Sequence, residues 1–206
     1  MTANHQPDVR DLLDALPAVT EADLRALHDR LADSSDAQGV LDVAYRTLDT
    51  PVGTLLLAAT EKGLIRVAYG TEGHDKVLKI LAERISPRIL HAPRRLDVAA
   101  REIDEYFAGQ RRGFDLPLDF SLSTGFRRLV LSHLPDIAYG HTASYASVAA
   151  VAGSPRAVRA VGTACATNPL PVVVPCHRVI RSDGSLGAYL GGPAAKQALL
   201  ELEAAA

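Results

Sequence analysis

The sequence predicts an α/β (α+β) fold: a small N-terminal α/β domain with an antiparallel sheet, followed by a mainly helical C-terminal domain. Three observations carry this. Residues 40–69 break into short β-rich runs, "VLDVAYRTLDT", "GTLLLAAT" and "LIRVAY", split by "PVG" and "EKG" turns. From residue 74 the apolar residues change to helical spacing. Residues 144–168 then outline a helix, a tight Gly-Ser-Pro turn and a second helix, a helix-turn-helix. With 206 residues, 48% of them hydrophobic, the chain can bury one substantial core or two small ones.

In chain order, residues 1–39 predict an acidic helical extension shaped as a hairpin. Val9, Leu12, Leu13 and Leu16 recur at helical spacing, and Pro17 ends that run. Thr20 offers a cap with Asp23 three residues on, leading into Leu24, Leu27 and Leu31. The stretch "ADSSDAQG" at 32–39 reads as a linker. The α/β domain is expected over 40–120. Its strands precede helical patterns at 74–85 and 96–108, where Leu96, Ile103, Tyr106 and Phe107 mark the apolar stripe, and "FDLPLDF" at 114–120 is a strand or connector. Residues 121–206 form the expected C-terminal domain. Thr124 can cap a helix that Pro135 stops, "SYASVAAVAG" makes a short helix, and Ser154 with Pro155 can open the next, which runs to about Asn168. The segment "GGPAAKQALLELEAAA" makes a terminal helix.

Charge is uneven along the chain. The net −2 divides into −5 over 1–39, zero over 40–120 and +3 over 121–206, so a polyanion-binding surface belongs on the C-terminal part. No apolar run reaches the roughly 18 residues that span a membrane, and "MTANHQPDVRDLL" does not read as a secretory signal. Two cysteines, Cys165 and Cys176, are too few for a disulfide framework, which makes a reducing cytoplasm the expected compartment. Their spacing, with one adjacent histidine, does not match a structural zinc site.

Cys165 lies in an alanine-rich helix and fits a small buried hydrophobe. Cys176 has different neighbours. Pro175 fixes its own φ and pushes Val174 into extended backbone, while His177 and Arg178 bring polar and positive groups of the kind that lower a thiol pKa. In an extended segment Cys176 and His177 point to opposite sides, so contact needs a local turn or a bridging water. A carboxylate would orient the histidine, with Glu201 and Glu203 as candidates. In the second helix of the helix-turn-helix, Gly162, Thr163, Ala164 and Ala166 keep one face small, and Arg156 and Arg159 project from its first turns. Small residues permit close approach to a sugar–phosphate wall. Tight packing against another helix explains them equally well. Tyr145 and Tyr189 suit a pocket for a flat base.

Taken together, "PCHRVI", "SPRAVRAVGTACATNP", "SYASVA" and "GAYLGG…K…LL..E" resemble the O6-alkylguanine-DNA alkyltransferase family, well over residues 121–206 and more loosely over 40–120. The resemblance implies DNA repair by stoichiometric transfer of an alkyl group from guanine O6, or from thymine O4, to Cys176, with no cofactor and no metal. It implies His177 as base through a water, Glu203 rather than Glu201 as its orienter, and Tyr145 as proton donor to the leaving guanine. Arg159 would fill the gap left by the flipped nucleotide, with Arg156, Gly162 and Ala164 also on the DNA-binding helix. Asn168 would hold the turn that presents the cysteine, the Val179 carbonyl would read the amino edge of the base, and Tyr189 would wall the pocket. The implied partner is double-stranded DNA carrying an alkylated guanine, met by a monomer; cooperativity along DNA is left open. Leu190 stands where some relatives carry a hydroxyl residue, and the extension over 1–39 lies outside the resemblance. A non-catalytic lesion binder is disfavoured by the intact Pro175–Arg178 run. The small-residue helix disfavours a helix-turn-helix regulator, and nothing marks the oxyanion hole of a cysteine hydrolase.

Overall fold

The computed structural model describes residues 19–205. The first half of the expected hairpin (Val9, Leu12, Leu13, Leu16, Pro17) lies outside them. Its second half is helix α1, Glu21–Ala37, opened by a reciprocal capping box between Thr20 and Asp23. The expected linker over 32–39 is instead helical to Ala37. Tertiary docking overrides its loop-forming composition: Ala32 is buried, Asp33 and Asp36 pair with Arg94 and Arg95, and His28 Nε2 lies 2.6 Å from the His91 carbonyl oxygen. Leu24, Leu27 and Leu31 of this helix are 50–58% exposed.

Strands β1 (Val43–Leu48), β2 (Leu55–Thr60) and β3 (Gly63–Tyr69) form the expected antiparallel meander. The sheet is mixed, however, because β4 (Ile89–His91) adds parallel to β1, giving the order β3-β2-β1-β4. Three residues are too short to show a period of two, which is why the sequence did not reveal this strand. Both faces are covered. Val43, Leu56, Ala58, Ile65 and Ala68 pack under helix α2 (His74–Arg84), and Ala44, Leu55, Leu57, Val67 and Tyr69 face helix α3 (Asp97–Phe107) and the C-terminal half. Burial on both sides explains the unbroken "LLLAA" of β2. Residues 114–120 are a connector, tied to β3 by one parallel bridge between Leu64 and Leu118.

The C-terminal half is built from helices α4 (Gly125–His133), α5 (Tyr145–Val151), α6 (Val158–Ala166) and α7 (Gly192–Ala204). A short parallel pair, β5 (Ala143–Ser144) with β6 (Val179–Ile180), joins them. Thr124 occupies the cap position of α4 but its side chain makes no cap bond, whereas the Ser144 hydroxyl accepts from Ser147 N at 3.0 Å at the start of α5. Helix α6 starts three residues later than Ser154 and Pro155 suggested. The Ser154 amide bonds back to the Ala149 carbonyl and its own carbonyl accepts from Ala157 N, so Ser154, Pro155 and Arg156 form the turn and not the first helical turn. Among the described residues no helix is long and apolar enough to cross a membrane.

Candidate active site

The segment between α6 and β6 is shaped by one amide side chain. Asn168 Oδ1 accepts from Leu170 N at 3.0 Å, and its Nδ2 donates to the Val174 carbonyl at 2.9 Å and to Cys176 Sγ at 3.1 Å. Inside the segment this amide ties together, Val172 adopts φ +73°, a left-handed conformation that a β-branched residue takes only under constraint. Cys176–Arg178 then form a single 3₁₀ turn instead of extended backbone, closed by Arg178 N donating to the Pro175 carbonyl. This local turn sends His177 and Arg178 together toward α7.

There they meet Glu203. Its Oε1 accepts from His177 Nε2 at 2.9 Å, Tyr106 OH at 2.7 Å and Arg178 Nη2 at 2.9 Å; its Oε2 accepts from Arg178 Nε at 2.9 Å and Gly140 N at 3.2 Å. Arg178 also donates to the Ile137 carbonyl. Burial by itself would raise the Glu203 pKa, but the bonds from His177, Arg178 and Tyr106 outweigh it and hold the carboxyl down at about 2. Because this lies below the ordinary 4.5, the stabilisation is in place above pH 4.5 and is lost as pH falls toward 2. Glu201 is exposed and among the described residues its carboxylate bonds Gln197, so the carboxylate that meets His177 is Glu203. With Nε2–H given to Glu203, His177 carries its lone pair on Nδ1, which is buried without a partner among the described residues.

Burial also decides the state of the sulfur. Cys176 is 1% exposed, and desolvation pushes its thiol up to about 11, against the opposing pull of the Asn168 amide and the Lys196 ammonium. His177 is driven the other way, below 6.5, chiefly by burial, with Glu203 opposing. The expectation that His177 and Arg178 would lower the thiol pKa is therefore corrected: the imidazole is neutral and the guanidinium is matched by Glu203. The resting pair at neutral pH is a thiol and a neutral imidazole. Cys165 is buried with a raised pKa and fits the hydrophobe reading.

The site contains three side chains that sequence reasoning did not assign. Lys196 is fully buried and donates to the Val179 carbonyl at 2.6 Å, so that carbonyl already has one partner. A signal existed: Lys196, Leu199 and Glu203 share one face of α7, so an inward Glu203 carries Lys196 inward too. Tyr106 was read only as part of an apolar stripe, and its hydroxyl binds Glu203. Tyr69, from β3, hydrogen-bonds Tyr189 OH to OH at 3.0 Å, and Tyr189 sets its ring edge-on to His177 with centroids 6.4 Å apart. Nothing local marks Tyr69 in a strand of apolar residues.

Tyr145 opens α5, half-buried, with its hydroxyl against Gly187. Burial raises its pKa, followed by the two nearby sulfurs, so it remains a phenol at neutral pH. Arg156 and Arg159 are exposed, Arg156 on the turn and Arg159 on α6. Gly162 has open space around it and Thr163 is exposed. Ala164 is corrected as a DNA contact: at 1% exposure it packs in the helical core. The small-residue face is thus divided between tight helix packing and an outward strip. Among the described residues no three His, Cys, Asp or Glu side chains gather where a metal ion could be held.

Comparison with known proteins gives two family matches: residues 43–120 match the ribonuclease-like domain of 6-O-methylguanine DNA methyltransferase, and residues 125–205 match its DNA binding domain. A methylated-DNA–protein-cysteine methyltransferase of Methanosarcina barkeri is 39% identical over 159 residues, covering 77% of this chain and 96% of the relative. The crystal structure of Mycobacterium tuberculosis O6-methylguanine methyltransferase superposes with a TM-score of 0.69 at 37% identity, covering 79% of this chain and 93% of that one. A structure of OGT from the same organism in complex with DNA gives 0.67 at 38% identity, with the same coverage.

The Glu203 cluster yields a stability prediction. Glu203→Gln keeps the size but leaves Arg178 buried without its counter-charge, and should destabilise the fold by about 3–5 kcal/mol in urea unfolding. A loss below about 1 kcal/mol would show that the carboxylate does not hold the C-terminal half together.

Proposed function

The chain belongs to the 6-O-methylguanine DNA methyltransferase family, whose members repair DNA by moving an alkyl group from guanine to a protein cysteine, and we propose that its acceptor is Cys176. The observation that carries this is the buried line from Cys176 through Asn168 on one side and the neighbouring His177–Glu203 pair on the other. Sγ attacks the alkyl carbon in line with the bond to guanine O6; the carbon–oxygen bond breaks, a thioether forms, and guanine takes up a proton. His177 Nδ1 receives the thiol proton through a bridging water, and ionised Glu203 stabilises the imidazolium as it forms. Tyr145 supplies a proton to the leaving base and is reprotonated from the imidazolium side, so the net movement is one proton from thiol to guanine. A thioether does not leave again, which limits each chain to one event.

The resting protonation states favour this order. With the thiol at about 11 and the imidazole neutral, deprotonation belongs with the attack and not before it. A thiolate waiting in the free protein would react with any passing electrophile; a closed thiol does not. The base must be extruded from the duplex to reach it. We assign that to α6: Gly162 and Thr163 permit close approach to the minor groove, and Arg159, whose guanidinium has no partner among the described residues, enters the stack. Tyr189 and the Val179 carbonyl, which also accepts from Lys196, line the base pocket. We further infer a monomer acting in the cytoplasm on double-stranded DNA carrying an alkylated guanine, consistent with two unbridged cysteines and the net +3 of residues 121–206.

Intact and peptide mass after mixing with duplex DNA carrying one O6-methylguanine should show one methyl group, on Cys176, saturating at one per chain. Cys176→Ala should bind the same DNA and gain no mass; transfer by this variant would end the assignment. The rate of transfer from the free alkylated base should be flat from pH 9 down through 6.5, because the depressed His177 pKa keeps the neutral base form below the pH at which an ordinary histidine titrates. A half-maximal rate near pH 6.5 would contradict a buried neutral imidazole. Arg159→Ala should slow repair of duplex by about 10-fold or more while sparing reaction with free base, the cost of one lost intercalating side chain. Equal losses on both substrates would refute its role in extrusion.

A further inference from the structure

The wall of the base pocket is anchored outside the C-terminal half. Tyr69 ends β3, with its amide held by Glu72 Oε1 at 2.9 Å and Glu72 in turn paired with Arg66. The same strand reaches the turn behind the sulfur, where Val67 N donates to the Pro169 carbonyl at 2.8 Å and Arg66 Nη1 to the same oxygen at 3.1 Å. Tyr69 is 2% exposed, and its ring lies on the Gly191 backbone so closely that a Cβ there would come within 2.6 Å of it. Its hydroxyl meets that of Tyr189, two residues earlier, at 3.0 Å, with the two rings edge-on. Tyr189 otherwise belongs to a segment whose earlier residues, Arg181–Ser185, are exposed. A strand pinned in the sheet therefore grips the end of a loop whose earlier residues are exposed to solvent.

We propose that Tyr69 is a positioning residue that sets substrate size: its hydroxyl holds Tyr189 in place and so limits the bulk of the alkyl group that reaches Cys176. This rests on Cys176 being the acceptor. Methyl transfer needs little displacement of the wall, whereas a benzyl group must push Tyr189 aside, so only the second reaction is penalised by the phenol–phenol bond.

The test is single-turnover transfer by the full chain from duplex DNA carrying O6-methylguanine or O6-benzylguanine. Tyr69→Phe retains the ring on Gly191 and should raise the benzyl-to-methyl rate ratio about 3–10-fold, as expected for release of one neutral hydrogen bond. Tyr189→Phe removes the same bond from the other end and should shift the ratio in the same direction. In the Tyr189→Phe background, adding Tyr69→Phe should change nothing more. An unchanged ratio in Tyr69→Phe overturns the proposal, as does an equal shift in both backgrounds, which would place Tyr69 in general packing. Failure of the unsubstituted chain to transfer methyl would overturn the assignment of Cys176 itself, and the size control with it.

Discussion

One buried carboxylate organises the C-terminal half. Glu203 gathers an imidazole, a guanidinium, a phenol and a backbone amide from three separate stretches of chain, and places them around a single negative charge. A buried carboxylate is tolerable only when its lone pairs are filled and its charge is matched, and here Arg178 supplies both. The arrangement therefore does two jobs. It fixes the terminal helix against the 3₁₀ turn, and it decides which nitrogen of His177 keeps its lone pair.

The sulfur is governed by the opposite balance. It carries no matching cation close enough to overcome desolvation, and remains a thiol, although Asn168 and Lys196 lean the other way. The same asparagine spans the segment in which Val172 is held in a left-handed conformation, so the backbone strain and the placement of the sulfur share one support. A strained, fully hydrogen-bonded turn is a rigid one. Rigidity suits the proposed role of Cys176, a nucleophile that reacts once, in line, with a carbon delivered from outside.

The N-terminal half also reaches the site. Arg66 and Val67 bind the Pro169 carbonyl, Tyr69 binds Tyr189, and Tyr106 from α3 binds Glu203. Both sides of the pocket, the turn behind the sulfur and the loop that walls it, are thus tied to a sheet that carries none of the groups that react. The acidic extension docks elsewhere, through Asp33, Asp36 and His28, on the segment 91–95.

Much of this was legible in the sequence. The β-rich runs, the helical periods and the helix-turn-helix outline follow from local spacing, which the chain carries residue by residue. Cys176, the proposed acceptor, stood out because proline, histidine and arginine are its neighbours in sequence, and Glu203 was one of two candidate carboxylates on the last helix, preferred over Glu201 through the family resemblance. What the sequence left undecided depends on burial and on contacts between distant residues. A three-residue strand, the helical continuation of "ADSSDA" under Arg94 and Arg95, and the late start of α6 are set by partners remote in the chain. The protonation of Cys176 was misjudged because adjacency suggested a field that the fold cancels, Arg178 being turned away to Glu203. Tyr69 was invisible for the same reason: in sequence it is one more apolar residue of a strand, and only packing of the sheet against the glycine pair gives its hydroxyl something to hold.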